Sequence, residues 1–134
     1  MAKPRPSAIA IASAVVACEV RSGDSGGLER VVMAKLSDGL GKLVGASGFD
    51  VVLARAVILA QKDNPALANV SAAPGGVLSG FSTKPGDVDR DLIAVLSHLF
   101  ELLIRFIGEA LARRVVREIW PDVTGAEAPE DPTT

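Results

Sequence analysis

The sequence predicts a mainly α-helical domain, with a helical hairpin, one long C-terminal helix, and a short β-hairpin in the segment that connects them. Apolar residues recur at three- and four-residue spacing in two stretches after Gly27, and a longer apolar stretch follows Asp87. Between them, a proline–glycine turn separates two short apolar runs. The content of 49% hydrophobic and 22% charged residues is typical of a globular chain.

The 134 residues suffice for one domain, which we divide into three segments. A chain of this size buries roughly two-thirds of its unfolded surface, so it needs neither disulfides nor a metal to fold. Residues 1–27 are an apolar segment with a glycine-rich linker, and residues 28–123 are the helical domain. Residues 124–134 are acidic and contain proline, which predicts a disordered tail.

The first segment allows two interpretations. Lys3 and Arg5 precede an apolar run from Ala8 to Ala17, and Cys18, the one cysteine of the chain, follows. This order is typical of a bacterial lipoprotein signal peptide, in which Cys18 would carry the lipid that anchors the protein to the envelope. The other interpretation is an uncleaved helix or strand that packs on the domain. We favour the second interpretation, and with it a cytoplasmic location, because two prolines interrupt the basic start.

The first helix of the predicted hairpin begins at Leu28, and its apolar residues share one face. Gly39 and Gly41 lie near its end, where each glycine costs about 1 kcal/mol relative to alanine. We therefore expect a bend or fraying near Gly39.

The second helix of the hairpin has clearer boundaries. Ser47 is predicted to cap it, with Asp50 three residues later as the capping-box partner. Asn64 precedes Pro65, and the residue before a proline is disfavoured in helical geometry, so the helix should end there. A helical turn over Pro65 to Ala68 and a hairpin formed by residues 70–72 and 77–79 should follow.

The long helix is predicted from Asp87 to Trp120. Asp87 can cap it, and Asp89 and Asp91 suit the positive first turn. Its polar residues form only a narrow strip, in which acidic and basic residues alternate every four positions and should pair in solvent. Charges interrupt the apolar stretch too often for a membrane span, which needs about twenty largely uncharged residues. The polar strip consists of Ser97, Glu101, Arg105 and Glu109.

The apolar face of this helix is wider than one stripe, and a helix with such a face needs extensive cover. Either the rest of the chain provides the cover, or part of the face binds another protein chain. On the second interpretation we predict an interface for a protein partner or a homo-oligomer, formed by Leu92, Leu96, Leu99, Phe100, Leu103, Phe106 and Ile107.

Candidate catalytic residues are few. His98 is the one histidine, and Glu101 follows three positions later, so a metal site with several histidines would need two chains. We favour a simpler interpretation, in which His98 is half-exposed beside a solvated carboxylate. Ser25 fits the Gly-x-Ser-x-Gly pattern of a nucleophile elbow, but it lies in the glycine-rich stretch from Gly23 to Gly27 that we interpret as a linker. The glycine-rich stretches also lack the lysine of a phosphate-binding loop. We therefore predict a protein that is not an enzyme and has no cofactor and no metal. An enzyme that uses His98 is an alternative hypothesis.

Nucleic acid is not an expected partner. The net charge of −2 gives no general attraction to nucleic acid or to anionic membranes. Arg113, Arg114 and Arg117 form a small basic cluster, but no interleaved aromatic residues accompany it. This cluster is predicted to be a solvated surface at the end of the helix.

Two parts of the chain carry a resemblance to known proteins. The matching pieces include Gly48-Phe49-Asp50, Phe106-Ile107-Gly108-Glu109 and Ile119-Trp120-Pro121-Asp122. They resemble a small helical domain of uncharacterised bacterial signalling and conflict-type proteins, and the resemblance covers about half of the chain. It implies a helical fold and an adaptor role, and it carries no catalytic residue. The function that we predict is a non-catalytic adaptor or regulatory module; the alternative is an envelope lipoprotein anchored at Cys18.

Overall fold

The structure of the protein is a computed structural model, and it describes residues 4–21, 28–73, 77–81 and 87–121. In these ranges a two-stranded antiparallel sheet lies between the third and fourth of five α-helices, so the predicted mainly α fold with a short β-hairpin is confirmed. The elements are α1 Pro6–Arg21, α2 Leu28–Val44, α3 Ala46–Asp63, a 3-10 turn Pro65–Leu67, β1 Ser71–Ala73, β2 Val77–Ser79, α4 Asp87–Ile107 and α5 Glu109–Ile119.

Helix α4 is the centre of the fold and contacts the four other helices. Its most extensive contacts are with α1, which contributes the fully buried Ile11 and Val15, and with α3, which contributes the fully buried Leu53. Burying a side chain of this size contributes about 1.5–3 kcal/mol. The chain's own helices therefore cover most of the wide apolar face of α4, and the N-terminal segment is part of the core.

The prediction of one long helix from Asp87 to Trp120 is wrong. Gly108 adopts a φ of 90°, which ends α4 at Ile107 and lets α5 begin at Glu109. Glycine has no Cβ and enters this left-handed region at little cost, so a single residue suffices to break the helix.

The expected fraying near Gly39 does not occur, because α2 continues as a helix to Val44. A Cβ atom on Gly39 would lie 2.5 Å from Cδ1 of Ile119. The glycine allows α5 to pack closely against α2, and this tertiary contact outweighs the low helix propensity.

The predicted Ser47 cap does not form. Helix α3 begins at Ala46, so Ser47 lies inside the helix, and the N-cap residue is Gly45, which has a φ of 83° and no side chain to form a cap. The predicted end at Asn64 is confirmed, and the Asn64 side chain accepts a 3.2 Å hydrogen bond from the N–H of Ala66.

The hairpin pairs Ala72 with Leu78, and Leu78 is buried against the helices. Gly80 ends it with a φ of 90°, and a Cβ there would lie 1.9 Å from the carbonyl oxygen of Asn69. Only glycine fits this approach. The predicted linker after Arg21, the hairpin turn at 74–76 and the acidic tail lie outside the described residues.

Candidate functional site

The seven residues of the predicted interface separate into two groups. Five are at most 1% exposed and lie in the chain's own core, namely Leu92, Leu96, Leu99, Phe100 and Leu103. Phe106 is 66% exposed, and Ile107 is half-buried. The surface that the predicted interface offers to another chain is therefore limited to the last turn of α4.

Phe106 differs from the other aromatic residues of the protein. All five lie within the described ranges, where Phe49, Phe100 and Trp120 are buried, Phe81 is half-buried, and Phe106 alone is exposed. Aromatic side chains are enriched at protein interfaces, because a rigid ring buries a large apolar area on binding. Phe106 is the strongest single indication of a contact surface in this part of the chain.

The surroundings of Phe106 mix apolar and charged groups. Arg105 precedes it with a side chain that is 57% exposed, and the half-buried Ile107 follows it at the end of α4. An apolar centre with a charged rim is the usual composition of a non-obligate interface. We call Arg105, Phe106 and Ile107 the α4-end surface.

The polar strip of α4 is not a solvated ladder, which corrects the prediction. Glu101 is 5% exposed, and Arg5, just before α1, lies over it. The Glu101 carboxylate accepts hydrogen bonds from the Arg5 backbone N–H at 3.0 Å, from Arg5 Nε at 2.9 Å and from Arg105 Nε at 2.9 Å. The predicted pair of Glu101 with Arg105 is present. Most of the hydrogen bonds to Glu101, however, come from Arg5, which lies near the other end of the chain.

These hydrogen bonds change the pKa of Glu101. Burial penalises the charged carboxylate and raises its pKa, but the hydrogen bonds from Arg5 and Arg105 outweigh that penalty and lower the pKa to about 2. The same contact raises the pKa of Arg5, chiefly through its side-chain hydrogen bond to Glu101. Glu101 is therefore a charged carboxylate that stabilises the packing of the N-terminal segment on α4.

A second contact joins the start of α1 to the start of α5. Glu109 accepts a hydrogen bond from Ser7 Oγ at 3.3 Å and one from Arg113 Nε at 3.0 Å. Of the predicted basic cluster, Arg113 is thus part of this contact, while Arg114 and Arg117 are exposed, and Arg114 lies 3.5 Å from Glu118.

The other end of α1 is held by Glu19, which is 2% exposed. Its Oε2 accepts a 2.5 Å hydrogen bond from the indole Nε1 of Trp120 and another hydrogen bond from the Lys35 ammonium. This carboxylate therefore joins α1, α2 and the end of α5. The sequence analysis assigned Glu19 no role, because its partners Lys35 and Trp120 lie far away in the chain.

His98 is buried, at 2% exposed, and not half-exposed as predicted. Its Nε2 lies 3.4 Å from Oδ2 of Asp63 at the end of α3, and its buried Nδ1 has no hydrogen-bond partner. Glu101, the carboxylate close to His98 in sequence, is hydrogen-bonded to Arg5 and Arg105. The carboxylate that lies beside the His98 imidazole is that of Asp63. In the described part of the chain, no three His, Cys, Asp or Glu residues are grouped so as to hold a metal ion.

Asp91, predicted to support the start of α4, is 5% exposed. Its Oδ1 has no hydrogen-bond partner, and the Nε of Arg90 lies 3.8 Å away. Asp91 is therefore more buried than is expected of a carboxylate whose only role is to stabilise the N-terminal turn of a helix.

Cys18, the predicted lipidation site, is half-buried on α1 and packs against the core. The apolar run before it supplies the buried residues Ile11, Val15 and Val16. The segment interpreted as a signal peptide or a packed element is a helix of the core.

No helix among the described residues has the length and hydrophobicity to cross a membrane. No family model, curated protein or solved structure matches the chain. The resemblance to a small bacterial helical domain therefore stays a prediction.

Proposed function

We propose that this protein is a non-catalytic interaction module, an adaptor or regulator that binds a protein partner or a second copy of itself through the α4-end surface. The observation that carries the proposal is the 66% exposure of Phe106 in a chain whose other aromatic residues are buried or half-buried. An exposed ring loses unfavourable contact with water when a partner covers it.

The polar groups support a non-catalytic role. Glu101 and Glu19 are each held by two cationic or N–H-bearing partners, and these partners belong to the elements that they join. Carboxylates fixed in this way stabilise the arrangement of the helices, and a general base would instead need access to a substrate.

Substituting Phe106 tests the interface. We compare the wild-type protein with Phe106→Ser and with Val77→Ser, a matched control that removes another exposed apolar side chain, 55% exposed on β2. Each is tagged, purified from the cells that naturally make the protein, and analysed by quantitative mass spectrometry and sedimentation. The proposal expects a bound protein or a dimer that Phe106→Ser loses and Val77→Ser keeps. The same bound proteins and the same oligomeric state for all three forms would refute it.

For location, we propose an uncleaved cytoplasmic protein. The support is the packing of α1, because cleavage before Cys18 would remove Ile11 and Val15, both fully buried, from the core. The mass of the native protein from its own cells provides the test. A chain that retains residues 2–17 supports the proposal, and a chain that begins with lipidated Cys18 establishes the envelope lipoprotein instead.

A further inference from the structure

A pocket of about 340 Å³ lies where α1, α3 and α4 meet, on the side of α4 that carries Ile93 and Ala94. We call it the α1–α3–α4 pocket. Its volume is at the lower end of the range for small-molecule sites, which are usually apolar with a few polar groups. Its lining includes Ile9, Ala60, Asp63, Ile93, Ala94 and His98.

The aliphatic part of the lining comes from three helices. Ile9 of α1 is 43% exposed, Ile93 and Ala94 of α4 are half-buried, and Ala60 of α3 is buried. An apolar molecule bound between them would remove part of this surface from water and gain free energy in proportion to the area covered.

The polar part of the lining is centred on Asp63 and His98. Asp63 is the last residue of α3, and its side chain is 33% exposed, so water or a ligand reaches it. Its contact with His98 Nε2 at 3.4 Å occupies only one of the roughly four acceptor positions of a carboxylate. The C-terminal end of a helix also carries partial negative charge, which favours a bound cation.

Among the other polar side chains of the lining, Asn64 Oδ1 accepts a 3.2 Å hydrogen bond from the Ala66 N–H, and the buried Nδ1 of His98 has no hydrogen-bond partner. Ser97 Oγ donates a 2.7 Å hydrogen bond to the carbonyl oxygen of Ile93. Arg90 lies with its Nε 3.8 Å from Asp91, and its side chain is 67% exposed. Asp63 carries the carboxylate of this lining, and its partly exposed side chain makes it the anionic group that a cationic ligand can reach.

We propose that the α1–α3–α4 pocket binds an aliphatic ammonium group, with the charge on Asp63 and the hydrocarbon chain against Ile9, Ile93 and Ala94. A small primary amine and the side chain of a lysine share this chemistry. The proposal goes beyond the interaction function and does not rest on it, since the α4-end surface is formed by other residues.

The test is an amide NMR titration of the full chain with three four-carbon probes at one pH: n-butylamine, 1-butanol and butyrate. Butylammonium is expected to shift the amide signals of Asp63, Ala94 and His98 with an affinity around millimolar, as suits a ligand of so few atoms. Butanol is expected to bind about tenfold more weakly, because its hydrogen bond is not charge-assisted. Butyrate should bind more weakly still.

Two substitutions and one control sharpen the result. Asp63→Asn should weaken butylammonium binding about tenfold, and Asp38→Asn, the same change at an exposed position of α2, should leave it unchanged. Ala94→Leu should abolish binding by filling the pocket at a half-buried position, which keeps the test valid if Asp63→Asn does not fold.

Nα-acetyl-lysine methylamide separates the two sources of the ammonium group. If it binds as tightly as butylamine, the pocket accepts a lysine of a partner chain; if it binds more weakly, the pocket is built for a free amine. Equal shifts with all three four-carbon probes, no shifts at the lining residues, or unchanged binding in Asp63→Asn would overturn the proposal.

Discussion

Arg5 donates hydrogen bonds from both its backbone N–H and its side chain to the carboxylate of Glu101, which lies 96 residues later in the chain. This contact fixes the start of α1 over the middle of α4. Glu19 does the same at the other end of α1, where it joins Lys35 and Trp120. The N-terminal helix is therefore held at both ends by buried carboxylates, and its apolar residues lie between them.

Replacing Glu101 with glutamine should destabilise the fold by about 1–3 kcal/mol, because hydrogen bonds to a charged, poorly solvated acceptor are stronger than neutral ones. Chemical denaturation monitored by circular dichroism measures the change. Glu118→Gln is the matched control; its pair with Arg114 is exposed on both sides, and such pairs contribute about 0–1 kcal/mol. Equal losses for the two variants would contradict a structural role for Glu101.

The stability of the protein should depend on pH through Glu101. The folded-state pKa of about 2 lies below the ordinary value of 4.5, so the stabilisation is fully present above about pH 4.5 and is lost as the pH falls towards 2. Unfolding free energies measured from pH 7 to pH 2 should show the wild-type advantage over Glu101→Gln constant above pH 5 and shrinking below it. An advantage that persists unchanged at pH 2 would contradict this assignment.

Trp120→Phe removes the indole N–H that donates to Glu19, and it should cost about 1–3 kcal/mol. Circular dichroism is the suitable probe, because the variant has no tryptophan left to fluoresce. The cost should be clearly smaller in a Glu19→Ala background, where the acceptor is already absent. An identical cost in both backgrounds would show that the two residues are not coupled.

Two glycines of α2 should respond in opposite directions to alanine. Gly41 has nothing within 4 Å of an added Cβ, so Gly41→Ala should stabilise the protein by about 1 kcal/mol through helix propensity. Gly39→Ala should destabilise it, because the new Cβ would lie 2.5 Å from the side chain of Ile119. In an Ile119→Ala background, Gly39→Ala should become stabilising. Thermal denaturation of the wild type, the three single variants and the double variant tests this. If Gly39→Ala still destabilises the protein in that background, the contact with Ile119 is not the cause.

Sequence patterns predicted the helices and strands well where neighbouring residues determine the structure. The apolar periodicity from Leu28 and the Asn64-Pro65 stop gave α2 and the end of α3, and the glycine turn gave the hairpin. They failed at Gly39, Ser47 and Gly108, where either a contact with a distant helix or the unusual conformation of one glycine decided the outcome. Helix propensity is a weak guide in such places, because tertiary packing overrides it.

The burial of polar residues was the larger failure, and its cause is the distance between partners in sequence. Nothing near Glu101 indicates that Arg5 covers it, and nothing near His98 indicates Asp63. The sequence shows that the apolar face of α4 is wide, but α1, which contributes most to its cover, also has the pattern of a signal peptide. Of the seven residues of the predicted interface, Phe106 is the one that the structure shows to be largely exposed.

Photocrosslinking from position 106 tests directly whether Phe106 contacts another protein. A photoreactive phenylalanine analogue replaces Phe106 or, as the control, Val77, and the cells that naturally make the protein are irradiated. We expect a covalent adduct of defined mass from position 106, containing either one partner protein or a second copy of the chain, and no such adduct from position 77. Irradiation that yields no adduct from position 106, or the same adducts from both positions, would contradict it.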